Sequence, residues 1–220
     1  MAPSHTITAR NQLSMAEDGF MFIKDAALGQ QVTAMVEGHI PVQSTAGFTL
    51  LKETLKEDAD IMKVLRSYLQ CESVGLGLYR TLGAVPGAYS FRQCNPDQPA
   101  ESVLVHLLAK ESKIGLWKGT DRVKVPSIPG KIGLWQASPN ELAEAGLQYV
   151  EQTFDDGGWC IRDTRVFMEV LRGTALTVAI GKESVLGKWP HMKLHKSLRA
   201  IVESIETPTL KVNALFYDAE

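Results

Sequence analysis

Residues 157–181 read GGWCIRDTRVFMEVLRGTALTVAIG, and the choice of fold turns on them. Two glycines open the stretch, and a run rich in aromatic and β-branched residues follows. Gly173 permits a turn, and 174–180 forms a second extended run, so the punctuation predicts a hairpin. If the first arm is one continuous strand, Trp159, Ile161, Asp163, Arg165, Phe167 and Glu169 share one face. Cys160, Arg162, Thr164, Val166, Met168 and Val170 then share the other. Neither face is cleanly apolar. A half-buried strand needs one apolar face, so this arm is expected to line a polar cavity.

Upstream, the order of elements predicts helices first and strands later. Residues 14–25, SMAEDGFMFIKD, read as a short helical turn, a break at Gly19 and a strand over 20–23. A helix is expected over 26–37, ended by Gly38. Over 48–69, Leu51, Leu55, Ile61, Met62, Leu65 and Leu69 recur at helical spacing, with a break near 57–58 that makes two helices. From Ser73 the pattern changes to strands, over 74–82, 89–93, 102–108 and 113–118. Residues 123–133 carry two prolines and two glycines and are expected to be a surface loop. Ser138-Pro139-Asn140-Glu141 reads as a capped helix start, with Glu141 closing a capping box, and 149–153 as a strand.

Downstream, 192–205 is expected to be an amphipathic helix presenting Leu194, Leu198, Ile201, Val202 and Ile205. Thr207-Pro208 stops it, and 210–217 is a closing strand. Many strands after a helical start favour a mainly β jelly roll or barrel with flanking helices over an alternating parallel sheet. At 220 residues the chain fits one domain. An N-terminal helical part, 14–70, is expected to pack on a 73–220 core.

Composition narrows the function. A formal charge of −2 gives no footprint for nucleic acid and no polybasic membrane patch. No apolar run reaches the ~18 residues of a membrane span, and the first residues lack a signal-peptide core. Three widely spaced cysteines, Cys71, Cys94 and Cys160, read as free thiols, which places the chain in the cytoplasm as an expectation. The expected partner is a small-molecule substrate; oligomeric state is left open, with a homodimer among the options.

Several of these segments, in order, resemble the phytanoyl-CoA dioxygenase-like branch of the iron- and 2-oxoglutarate-dependent oxygenases. MAEDGFMFIKD looks like that family's opening. Residues 102–122, SVLVHLLAKESKIGLWKGTDR, are similar to its segment ending in a Gly-Ser-His-Arg-like turn, here Gly119-Thr120-Asp121-Arg122. Residues 157–167 are similar to the lead-in to its second metal histidine. The resemblance implies a double-stranded β-helix, a jelly roll with a cupin-like pocket at one end. It also implies iron held by His-x-Asp/Glu and a distant His. None of His5, His39, His106, His191 and His195 has Asp or Glu two residues later. Where the first motif falls the chain reads Ser90-Phe91-Arg92-Gln93, and where the second falls, Met168-Glu169. The expectation is therefore a scaffold with no metal and no other cofactor.

The candidate catalytic residues are Arg165, Asp163, Glu169 and His106. Arg165 would hold a carboxylate or enolate with its rigid fork of donors while a carboxylate moves protons. Arg165→Ala would then remove function and leave stability nearly unchanged. The same residues also fit an Asp163–Arg165 ion pair at the rim, and His106 a core imidazole bonded to a neighbour. Trp117, Trp159, Phe167, Arg92 and Met168 are the candidate substrate contacts. Asp121 and Arg122, beside Trp117 and Lys118, read as a solvated charge cluster or as part of a pocket. His191 and His195, four apart, carry metal-binding spacing if helical. Together these residues point to a non-oxidative small-molecule enzyme, an isomerase, cyclase or lyase. Displaced iron ligands (His106, Glu169 and His191 or His195) and a non-catalytic binding protein are the other readings.

Overall fold

The structure is a computed structural model that describes residues 9–56, 59–130 and 133–218. A helix, α1 (Ala9–Asp18), leads through Gly19 into strand β1 (Phe20–Lys24). Helix α2 (Ala26–Glu37) follows, its first turn capped by the Asp25 carboxylate accepting from the Leu28 amide. Helices α3 (Thr45–Thr54) and α4 (Asp60–Leu69) divide the region read as two helices. Residues 57–58, where the break was placed, lie outside the described residues. The apolar stripe is realised: Phe48, Leu51, Leu55, Met62, Leu65 and Leu69 are buried in one cluster with the outer face of a sheet.

The strands that follow are β2 (Val74–Gly83), β3 (Ala88–Ser90), β4 (Ser102–Leu108) and β5 (Ser112–Lys118). Next come β6 (Ile128–Pro129), β7 (Trp135–Ala137), the short helix α5 (Pro139–Glu144) and β8 (Gln148–Phe154). Strands β9 (Gly158–Asp163), β10 (Met168–Arg172) and β11 (Thr174–Lys182) come from the stretch that decides the fold. Helix α6 (Glu183–Leu186), strand β12 (Met192–His195), a 3₁₀ turn (Lys196–Leu198), helix α7 (Arg199–Glu203) and strands β13 (Leu210–Val212) and β14 (Ala214–Tyr217) finish the chain.

Two six-stranded sheets result. The major sheet runs β1-β9-β4-β11-β2-β13 and the minor sheet β6-β7-β3-β10-β5-β8. The chain crosses between the sheets from β2 through β3 and β4 to β5, and again from β8 through β9 and β10 to β11, as in a jelly roll, and helices cover the outer face of the major sheet. Alternation sorts the core. Val103, Val105, Leu107, Ile161, Val178 and Ile180 pack outward on the helices, whereas Leu108, Cys160, Ala175, Ile114, Met168 and Val170 meet between the sheets.

Four local readings change. β10 and β11 are not a hairpin: β10 pairs with β3 and β5, and β11 with β2 and β4. Gly173, at φ +83°, turns a corner between sheets. Residues 192–205 form a strand, a 3₁₀ turn and one short helix instead of one long helix, because β14 offers Met192–His195 a parallel partner. Leu194, Leu198, Val202 and Ile205 are nevertheless buried, so the apolar spacing was right and the secondary structure was not. The closing strand is broken at Asn213 into β13 and β14, which join different sheets. Ser138 precedes α5 but makes no side-chain cap bond.

Candidate active site at the mouth of the jelly roll

The arm read as one strand ends at Asp163. A turn over 164–167 carries the chain into the other sheet, so alternation does not continue across it. The residues assigned to one face therefore separate. Trp159 packs on the helices outside the major sheet. Phe167 and Trp117 pack outside the minor sheet with Leu142. Glu169 accepts from Trp117 Nε1 at 3.0 Å, and the Trp117 and Tyr149 rings lie 4.8 Å apart. Met168 points between the sheets, 3% exposed. Of the four expected catalytic residues, only Asp163 and Arg165 come together.

His106 is sealed inside the barrel. Arg162 Nε donates to its Nε2 at 2.9 Å, and since a guanidinium only donates, the proton sits on Nδ1, which donates to Thr177 Oγ1 at 2.7 Å. Register explains the trio, because β9, β4 and β11 are neighbours and Thr177 stands opposite His106. Burial, and then the Arg162 charge, hold the imidazole well below its usual value. Burial also lowers Arg162 to about 10, which leaves it charged at neutral pH. The other Arg162 bond is to the Val166 carbonyl, so this Arg ties the turn to the strand. The trio is a fully buried polar brace.

Asp163 and Arg165 stand at the mouth. Arg165 Nε donates to Asp163 Oδ1 at 2.8 Å and Nη2 to Oδ2 at 2.9 Å, while Nη1 donates to the Gln98 carbonyl at 2.9 Å. The Asp163 side chain is 1% exposed and that of Arg165 13%. Tyr68, from α4, donates to Asp163 Oδ2 at 2.9 Å. Burial and the Asp163 charge push the Tyr68 phenol far up. For Arg165, burial opposes the charge but is outweighed by the bonds to Asp163 and its charge, and the net direction is up. This closed fork is the Asp163–Arg165 ion pair that the sequence also allowed, and Arg165 lines the wall of a cavity.

That cavity, about 270 Å³, is lined by Tyr68, Gln98, Asp121, Arg122, Arg165 and Lys182 among others. Asp121 is its most unusual group. It is 4% exposed, and its Oδ1 has no hydrogen-bond partner among the described residues. Arg122 Nε stands 3.6 Å from Oδ2. Burial first, and the Asp163 charge second, raise the Asp121 carboxyl above its usual value. Buried polar atoms are nearly always bonded; this Oδ1 is enclosed beside Gly19 and Val166, on a carboxylate that also lines the cavity. Asp121 reads in the sequence as part of a charge cluster, with no sign of its burial, and Tyr68 lies within the helical stretch 48–69 without standing out from it.

A second concavity opens on the other side of the 91–101 loop. It holds about 590 Å³ and is lined by Phe91, Arg92, Gln98, Trp135, Trp189 and His191, with Gln98 common to both. Arg92, an expected substrate contact, thus lines a large concavity. Trp135 and Trp189 were missed; a tryptophan in the Lys188-Trp189-Pro190 loop, outside any apolar period, was the available signal.

The chemistry of an iron site can be tested directly. Met168 pairs with Tyr89, so the two segments to which the resemblance assigns metal ligands do meet. Their side chains do not fit iron(II). Ser90 Oγ is engaged with the Arg92 carbonyl, Arg92 is a cation paired with Glu101 at 2.6 Å, and Met168 is a packed thioether. The displaced set does not assemble: among the described residues no three His, Cys, Asp or Glu are grouped to hold a metal. His195 is not on a helix with His191; it bonds Ser197 and meets the Tyr217 ring. Among the described residues no helix is long and apolar enough to cross a membrane.

No protein-family model matches the chain, and no curated protein matches it significantly. Solved structures do. The epimerase SnoN in complex with Fe3+, alpha ketoglutarate and nogalamycin RO superposes at TM-score 0.55 with 9% identity, over 79% of this chain and 82% of that one. Apo EctD from S. alaskensis gives 0.55 with 13% identity, over 81% and 78%. Iron-bound HygX from Streptomyces hygroscopicus gives 0.54 with 10% identity, over 86% and 91%. At these identities the likeness establishes the fold: a jelly roll flanked by helices, of the kind those enzymes share.

Proposed function

We propose that the chain is a non-oxidative enzyme that moves a proton on a small organic molecule, as an isomerase, cyclase or lyase does. The observation that carries this reading is Asp121: a nearly buried carboxylate with a raised pKa, lining a cavity, one of whose oxygens has no hydrogen-bond partner among the described residues. A carboxylate whose affinity for protons is raised is a better general base when ionised. Asp121 would take the proton, and Arg122 and Lys182 on the cavity wall would face the negative charge that develops. The Tyr68–Asp163–Arg165 network holds the wall in place. That a fold neighbour is described as an epimerase supports isomerisation on this scaffold, although its description includes iron and this chain offers no such donors at the corresponding strand ends.

The test needs no prior substrate. Purified protein is incubated with a small-molecule extract without added iron or 2-oxoglutarate, and the mixture is profiled by mass spectrometry. The reading predicts a product of equal mass, or fragments summing to the substrate mass, absent with Asp121→Asn. A product heavier by one oxygen, or turnover unchanged in Asp121→Asn, would overturn it. The reading of a binding protein without catalysis is favoured by the aromatic cleft, where the residues that line it include no carboxylate; it predicts ligand retention with no product.

A further inference from the structure

The cleft beside the cavity carries an inference of its own. Three half-buried aromatic residues converge on it from unrelated parts of the chain: Phe91 after β3, Trp135 in β7 and Trp189 after α6. The Phe91 and Trp189 rings are 5.8 Å apart at 57°. A surface of this size and composition is costly to leave open to water, and 300–1,000 Å³ is the usual range of small-molecule pockets.

The walls are held in position. The Asn213 side chain donates to the carbonyls of Leu186 and Trp189, both at 3.3 Å, which fixes the loop bearing Trp189. The Trp189 ring lies over Gly77, where a Cβ would come within 2.3 Å of it. On the opposite side the Phe91 and Arg92 amides both donate to the Thr164 carbonyl. Little ordering is left to be done on binding, which favours affinity.

Arg92 brings a positive charge to the cleft, and Gln93, Gln98 and His191 line it as polar groups, with no carboxylate among the lining residues. Glu101 engages Arg92 at Nη1 from a neighbouring recess that Arg92 also lines, so a ligand in the cleft would meet the guanidinium at its other nitrogens. A guanidinium beside converging aromatic rings suits a planar ring bearing a carboxylate.

We infer that this cleft binds a planar aromatic carboxylate, its ring against Trp135 and Trp189 and its carboxylate on Arg92. The inference stands on the cleft alone and does not depend on proton transfer at Asp121, so either can fail without the other.

Isothermal titration of the full chain with 2-naphthoate tests it, with 2-naphthylmethanol as the uncharged counterpart. Saturable one-site binding of naphthoate is expected. Arg92→Met should weaken naphthoate at least about tenfold and leave the alcohol unchanged, while Arg92→Lys retains part of the preference. Trp135→Leu should weaken both compounds. Absence of saturation up to about 5 mM, or naphthoate affinity unchanged in either Arg92→Met or Trp135→Leu, would overturn the proposal. Near-ultraviolet circular dichroism of each variant confirms that its packing is intact.

Discussion

Replacing Arg165 by alanine should destabilise the protein severely, even though the residue sits at the rim of a cavity. The substitution removes two charge-assisted bonds of 2.8 and 2.9 Å to Asp163 and a third, of 2.9 Å, to the Gln98 carbonyl. Among the described residues, the Asp163 carboxylate, 1% exposed, keeps the Tyr68 hydroxyl and the Arg165 amide. Breaking one side of a buried pair costs about 3–5 kcal/mol, because the remaining charge cannot be rehydrated. At about 2–4 °C per kcal/mol for a chain of this size, the melting midpoint should fall by roughly 6–20 °C. Urea denaturation at neutral pH measures the loss, and a cycle with Asp163→Asn isolates the pair. An exposed pair such as Lys196–Asp218, with side chains 49% and 74% exposed, sets the comparison at about 0–1 kcal/mol. A loss for Arg165→Ala within that range would refute the buried-fork argument and return Arg165 to the role of a free substrate ligand.

Three further outcomes follow from the geometry. Gly29→Ala places a Cβ 2.0 Å from the Asp156 carbonyl oxygen, backbone that cannot swing aside; denaturant midpoints should show a loss of at least about 1–3 kcal/mol, and a near-neutral result would mean that α2 does not sit on the β8–β9 turn. Asp121 has a folded pKa above the ordinary 3.8, so the native state disfavours its charge, and its penalty appears as pH rises from about 4 through the folded value. The stability of Asp121→Asn relative to the native chain should therefore increase over that rise and then level off; a difference of opposite slope contradicts the assignment. His106 has a folded pKa well below 6.5, so the stability it contributes is present above 6.5 and lost as pH falls below it, when the unfolded chain takes the proton. His106→Gln should flatten that part of the acid profile, by up to about 1.4 kcal/mol per pH unit, and an unchanged profile would show that His106 is not buried neutral.

The fold was legible because apolar periodicity survives whatever it packs against. The stripe of Leu51 to Leu69 and the alternation of 102–108 and 113–118 each found the surface they required. Leu194, Leu198 and Ile205 were correctly assigned to the interior, but a partner strand 22 residues downstream of Met192, at Ala214, decided their backbone, and short-range patterns do not encode such a partner. The site was less legible for a related reason. Alternation along 159–169 was counted through a turn over 164–167, and in a jelly roll such a turn changes sheets and resets which way side chains point. Arg165 and Asp163 were recognised as neighbours because they are close in sequence. Tyr68, Asp121 and the Trp135–Trp189 cleft depend on the tertiary approach of α4, the loop after β5 and the loop after α6.

The central claim, that this jelly roll does non-oxidative chemistry because its strand ends carry Ser90, Arg92 and Met168 in place of iron donors, is tested most directly by metal binding. The purified chain is incubated anaerobically with iron(II) and 2-oxoglutarate, dialysed, and analysed for iron against protein. The account predicts well under one equivalent, about a tenth or less, with no change on Met168→Leu. Retention near one equivalent, dependent on 2-oxoglutarate and abolished by substitution of His106 or Glu169, would contradict it.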